Sequence, residues 1–64
     1  MSALLTLSEV SERTRVPIAT LRYWKTRTPD RGPRLFVLGG RVVAKASDVD
    51  AWIEQQYDAA QVSA

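Results

Sequence analysis

The stretch Leu35-Phe36-Val37-Leu38-Gly39-Gly40-Arg41-Val42-Val43-Ala44 decides how the chain folds. Two runs of β-formers flank a two-residue Gly-Gly loop, a strong hairpin signal. Pairing across that loop sets Leu38 opposite Arg41, Val37 opposite Val42 and Phe36 opposite Val43. Side chains alternate along a strand, so one ribbon face carries Phe36, Leu38 and Val43 and the other Leu35, Val37, Val42 and Ala44. Both faces are apolar, although a two-stranded ribbon buries only one. Either a small core wraps both faces, or Leu35, Val37 and Val42 form a contact for another protein.

Upstream, Thr6-Leu7-Ser8-Glu9 reads as a capping box that opens a first helix over residues 7–14, with Leu5 and Val10 at the staple positions. Leu7, Val10, Ser11 and Thr14 follow at helical spacing. Arg15-Val16-Pro17 interrupts, since Pro17 favours extended backbone before it and a helix start after it. A second helix is expected over residues 18–26, with Ile18, Leu21 and Trp24 on one face and Ala19, Arg22, Tyr23 and Thr26 on the other. Two short helices joined by a tight turn form a helix-turn-helix candidate. Thr28-Pro29-Asp30-Arg31-Gly32-Pro33 is a loop by its Pro and Gly content.

Downstream, Ser47 is the expected N-cap of a third helix, with Asp48 and Asp50 in its first turn. Val49, Trp52, Ile53, Gln56, Tyr57 and Ala60 recur at helical spacing, and Trp52 reads as core. Residues 59–64 are expected to fray. The predicted architecture is mainly α with a small β-hairpin: a winged helix-turn-helix in one domain, with an ordered core over residues 4–58.

The chain has 64 residues, which fits a single domain. It contains neither cysteine nor histidine, so disulfide and zinc staples, a thiol nucleophile, a histidine base and a zinc-bound water are all excluded. The expectation is a protein that is not an enzyme and uses no metal or cofactor. No apolar run approaches the roughly 18 residues of a membrane span, and the first residues do not resemble a signal peptide. A cytoplasmic, nucleoid-associated protein without a membrane partner is expected; for a phage-encoded chain the compartment is the host cytoplasm.

The net charge of +2 hides its distribution. All nine basic residues lie between positions 13 and 45, against Asp30 alone, for a net +8. The acidic remainder is Glu9 and Glu12 before that block and Asp48, Asp50, Glu54 and Asp58 after it. Such asymmetry suits a polyanion, and double-stranded DNA fits the architecture. A helix enters a major groove about 12 Å wide, and a hairpin beside it reaches the minor groove, whose potential attracts arginine.

The candidate DNA-binding residues are Ile18, Ala19, Thr20, Arg22, Tyr23, Lys25, Thr26 and Arg27 on the second helix and its end, Arg34 before the hairpin, and Gly40 with Arg41 at the tip. Arg22 either reads guanine or clamps a phosphate, and Tyr23 either reaches a phosphate or packs on Pro29 or Pro33. Thr6, Ser8 and Arg15 are candidate phosphate contacts around the first helix, with Ser8 equally read as an ordinary first-turn serine. Asparagine is absent, and the glutamines lie on the third helix, so a thin direct code with much phosphate-borne affinity is expected.

Four segments in this order resemble the excisionase class of MerR-like winged helix-turn-helix domains: Leu5-Thr6-Leu7-Ser8-Glu9-Val10, Thr20-Leu21-Arg22-Tyr23-Trp24, Gly39-Gly40-Arg41 and Ser47-Asp48-Val49-Asp50-Ala51-Trp52-Ile53. The resemblance spans residues 4–57. It implies a recognition helix around Arg22, a wing arginine at Arg41, and a recombination directionality factor that binds and bends attachment-site DNA cooperatively. The implied partners are DNA, further copies of the chain on that DNA, and an integrase of the tyrosine or serine recombinase type. A chain of this size without an effector domain or coiled coil is more similar to excisionases than to full MerR regulators, although a small MerR-like transcriptional regulator is the alternative. A protein-binding module without a DNA role is a third reading, motivated by the two-faced hairpin and the acidic third helix. The chain departs from the family pattern at Thr14 and Arg15, where an apolar residue and a glycine are usual, and at Pro17, which stands at the usual N-cap serine.

Overall fold

A computed structural model describes residues 3–28 and 30–62. The elements run β1 (Leu4–Thr6), α1 (Leu7–Thr14), α2 (Ile18–Arg27), β2 (Phe36–Leu38), β3 (Arg41–Lys45) and α3 (Ala46–Val62). Three helices accompany an antiparallel sheet of three strands in the order β1-β3-β2. No helix among the described residues is long and apolar enough to cross a membrane.

The hairpin forms in the expected register, with Leu38 opposite Arg41, Val37 opposite Val42 and Phe36 opposite Val43. Gly39 and Gly40 both lie in the left-handed region, at φ of 60° and 80°, as a two-residue hairpin turn requires. A Cβ at either position would meet open space. Backbone conformation, not crowding, therefore asks for glycine here.

The sheet has one strand more than the hairpin predicts. Leu4, Leu5 and Thr6 pair with Lys45, Ala44 and Val43, and the Ala46 N–H extends the ladder by donating to the Ala3 carbonyl at 2.8 Å. Leu5 is buried between exposed Leu4 and Thr6, the alternation of a strand with one covered face. This strand extends one covered face of the hairpin, while on the other face Val43 is buried and Phe36 half-buried. Leu5 lies opposite Ala44, on the same face as Leu35 and Val42, and all four belong to the core built with Leu7, Val10, Leu21 and Val49. Leu35 and Val42 are half-buried and pack against that core, in keeping with the first of the two alternatives for Leu35, Val37 and Val42. Of that trio only Val37, 57% exposed, stays on the surface.

α1 begins at its capping box. The Thr6 N–H donates to Glu9 Oε1 at 2.8 Å, and the Glu9 N–H donates to Thr6 Oγ1 at 3.1 Å. The staple residues Leu5 and Val10 are both buried. The helix stops at Arg15, whose φ of 63° is left-handed and whose N–H donates to the Ser11 carbonyl. A non-glycine residue there costs about 1 kcal/mol.

Hydroxyls lace the turn that follows. Thr14 Oγ1 donates to the Val10 carbonyl at 2.7 Å and accepts from the Val16 N–H, while Ser11 Oγ donates to the Val16 carbonyl at 2.6 Å. Pro17 then caps α2 without a side-chain bond. Leu21 is fully buried and Trp24 half-buried, but Ile18 at the helix start is 38% exposed, so the core face of α2 is narrower than its spacing predicts.

α3 starts at Ala46, which places Ser47 inside the first turn instead of at the cap. The ladder bond from Ala46 to Ala3 explains the shift, because strand hydrogen bonding runs directly into the helix. Asp48 is the first-turn acid, and Asp50 instead pairs with Arg13 of α1 at 3.0 Å. Val49 is fully buried and Ile53 packs against the core, but Tyr57 is 60% exposed. The helix continues through Val62, into the stretch 59–64 expected to fray; residues 63 and 64 lie outside the described ones. Trp52 is half-buried and not in the core centre: it packs on Trp24 with ring centroids 6.0 Å apart and planes tilted by 58°.

Candidate nucleic-acid interface

Successive residues of a helix turn by about 100°. Ala19, Arg22, Tyr23 and Thr26 therefore cluster on the side of α2 away from Leu21, and all four are exposed. Thr20 and Lys25 form half-buried shoulders, and Ile18 flanks the face at its N-terminal end. Tyr23 is 58% exposed, which leaves its ring free of the tight packing considered for it; Pro29 lies outside the described residues. Thr26 Oγ1 donates to the Arg22 carbonyl at 3.1 Å and to the Tyr23 carbonyl at 3.3 Å. Its proton is engaged by the helix, so its methyl group and oxygen lone pairs remain for a partner.

Arg22 does not stand alone. It shares one shallow depression with Thr6, Leu7, Gly40, Arg41, Val42 and Val43. The end of β1, the start of α1, the middle of α2 and the hairpin tip all meet there, and no acidic side chain lines it. The one ion pair among the described residues, Arg13 with Asp50, is elsewhere. Thr6 and Ser8 stand at the α1 N-terminus, where the Glu9 carboxylate already takes the Thr6 N–H. That carboxylate repels a phosphate approaching the same amides. Arg15 is exposed on the turn ahead of α2.

Arg27 and Arg34 part from this group. Five residues beyond Arg22, Arg27 is rotated by about 140° around the helix axis. It lines a groove with Trp24, Arg31, Trp52, Gln55 and Gln56. Arg34 borders a neighbouring depression with Pro33, Asp48 and Trp52. Trp24 organises this second locus. The Arg31 guanidinium carbon stands 5.7 Å from the Trp24 ring centroid, in cation–π geometry. Gly32, at a left-handed φ of 81°, lies so close to the indole that a Cβ there would run into it.

Of the predicted residues, the structure brings Thr6, Arg22, Gly40 and Arg41 together, with Ala19, Tyr23 and Thr26 on the helix face beside them. Neither Arg27 nor Arg34 lines the depression that holds Arg22 and Arg41. Leu38, not among the predicted residues, is 52% exposed directly opposite Arg41, a placement that the hairpin register already carried. No protein-family model, curated protein or solved structure matches the chain. Function therefore rests on the geometry of the site.

Proposed function

We propose that the chain is a double-stranded DNA-binding protein of winged helix-turn-helix architecture with no catalytic role. In this reading α2 is the recognition helix and the β2–β3 hairpin is the wing. The observation that carries it is the single depression joining Arg22 to Arg41 with no acid on its lining. A helix of ten residues is about 15 Å long and suits the major groove. Arg41, at the tip of the adjacent hairpin, is then placed for the minor groove and its enhanced negative potential. Arg22 brings a guanidinium to the outward helix face and suits the O6 and N7 edge of guanine, while the methyl groups of Ala19 and Thr26 suit thymine methyls. With so few base readers, most of the affinity comes from phosphates.

The resemblance in the sequence extends this reading to an excisionase that binds attachment-site DNA cooperatively and directs an integrase toward excision. An excision assay with the cognate integrase separates that role from a small transcriptional regulator on the same fold. DNA binding itself is tested by fluorescence anisotropy on a labelled duplex between about 50 and 200 mM salt, where the log–log slope should be about −0.9 for each phosphate neutralised. A flat salt response refutes it.

A further inference from the structure

The hairpin tip carries more than Arg41. Leu38 is its direct cross-strand partner, so both side chains project from the same face of the ribbon. Leu38 is 52% exposed, and Val37 on the opposite face is 57% exposed. Neither joins the hydrophobic core. One rung inward, Phe36 is half-buried and Val43 buried. Exposed apolar surface thus appears at the end of the ribbon, next to the guanidinium of the proposed wing. Beyond it stand two glycines whose missing Cβ atoms would face open space. Paired strands are about 5 Å apart, so the bare turn matches a minor groove about 6 Å wide. The rung that carries Leu38 and Arg41 is broader and requires that groove to open.

We propose that Leu38 is a wedge that deforms DNA. The proposal rests on the DNA-binding reading above and adds a division of labour at the tip. Arg41 supplies the electrostatic attraction to the minor groove. Leu38, carried in beside it, presses on the groove floor and opens a base step, bending the duplex away from the wing. Apolar side chains inserted from the minor groove unstack base steps and kink DNA toward the major groove. Leucine brings no polar group that must be desolvated, and contact with sugars and base edges removes the apolar surface it exposes in the free protein. The deformation is easiest at flexible pyrimidine–purine steps, so the wing gains sequence preference without a hydrogen bond to any base. Leu4, also exposed on this sheet face, lies on β1 opposite Lys45, away from the tip, and takes no part.

The test uses the full chain and a duplex of about 30 base pairs with a central TA step and a donor and an acceptor dye at its two ends. Wild-type protein should raise energy transfer between the ends. Leu38→Ser should lose at least half of that rise and bind about 5–10-fold more weakly. Its salt slope should stay unchanged, because no charge is removed, whereas Arg41→Ala should reduce the slope by about 0.9. Leu38→Phe should keep the bend. Thermal midpoints of the variants confirm that this exposed position leaves the fold intact. If Leu38→Ser binds and bends the duplex as wild type does, the wedge is wrong and DNA binding stands. Wild-type binding without any rise in transfer overturns the wedge alone, and failure to bind any duplex at low salt overturns both.

Discussion

The two flanks of α2 both present arginine, with opposite consequences. On one flank Arg22 shares an exposed depression with Arg41, and among the described residues no acid or aromatic ring lines it. On the other flank Arg31 lies over the Trp24 ring, and Arg27 lines the groove between Trp24 and Trp52. A guanidinium over an indole contributes about 0.5–1 kcal/mol to holding its loop. An exposed guanidinium with no partner contributes little to folding and is available to a polyanion. The basic block of the sequence is therefore two surfaces of different character.

Substitution of single arginines is the strongest way to break this contrast. Arg22→Ala and Arg41→Ala should each weaken duplex binding by about 1–3 kcal/mol. Arg27→Ala and Arg31→Ala should change it less than about threefold, as expected of screened charges outside the contact. Equal losses at all four positions, measured by anisotropy at one salt concentration, would merge the two surfaces into one.

The next largest effect tests the Trp24 side from within. Gly32→Ala combines a left-handed φ with a collision against the indole. It should lower stability by about 2 kcal/mol, read as a shift of the urea midpoint, and leave the affinity of the folded protein unchanged. A variant as stable as wild type would mean that the loop does not depend on its fit to Trp24.

The smallest effect concerns Thr6, which lies beside Arg22 and Arg41 but whose visible bonds belong to the capping box. Thr6→Ala should cost about 1 kcal/mol of stability with binding unaltered. If its binding loss matched that of Arg22→Ala, Thr6 would belong to the DNA surface as well.

Local chemistry was legible in the sequence. The capping box fixed the start of α1, Pro17 fixed the start of α2, and Gly39-Gly40 fixed the hairpin register, because each signal is contained within a few neighbouring residues. What escaped was non-local. Leu4-Leu5-Thr6 has no strand signature of its own and becomes β1 only because β3 offers a free edge with Ala44 ready to meet Leu5. The same pairing puts Leu5 on the face of Leu35, Val42 and Ala44, while Val43 on the other face is buried as well. At the candidate site, the helical spacing of Ala19, Arg22, Tyr23 and Thr26 gave the outward face correctly. The rotation of Arg27 away from Arg22 follows from helical spacing, but the place of Arg34 depends on the path of a loop wrapped around Trp24, for which sequence periodicity holds no cue.

The position of β3 between β1 and β2 also bears on how the molecule folds. An isolated two-stranded hairpin is marginal in water, so the tip that carries Arg41 is stiff only once residues 4–6 have found residues 43–45, about 40 positions along the chain. Closing so long a loop delays the reward of those contacts, and it makes the N-terminus, both strands of the hairpin and the start of α3 a single cooperative unit. Deleting the first six residues would remove the cap of α1 and the outer strand together and would loosen a tip that lies more than 30 residues along the chain from the cut.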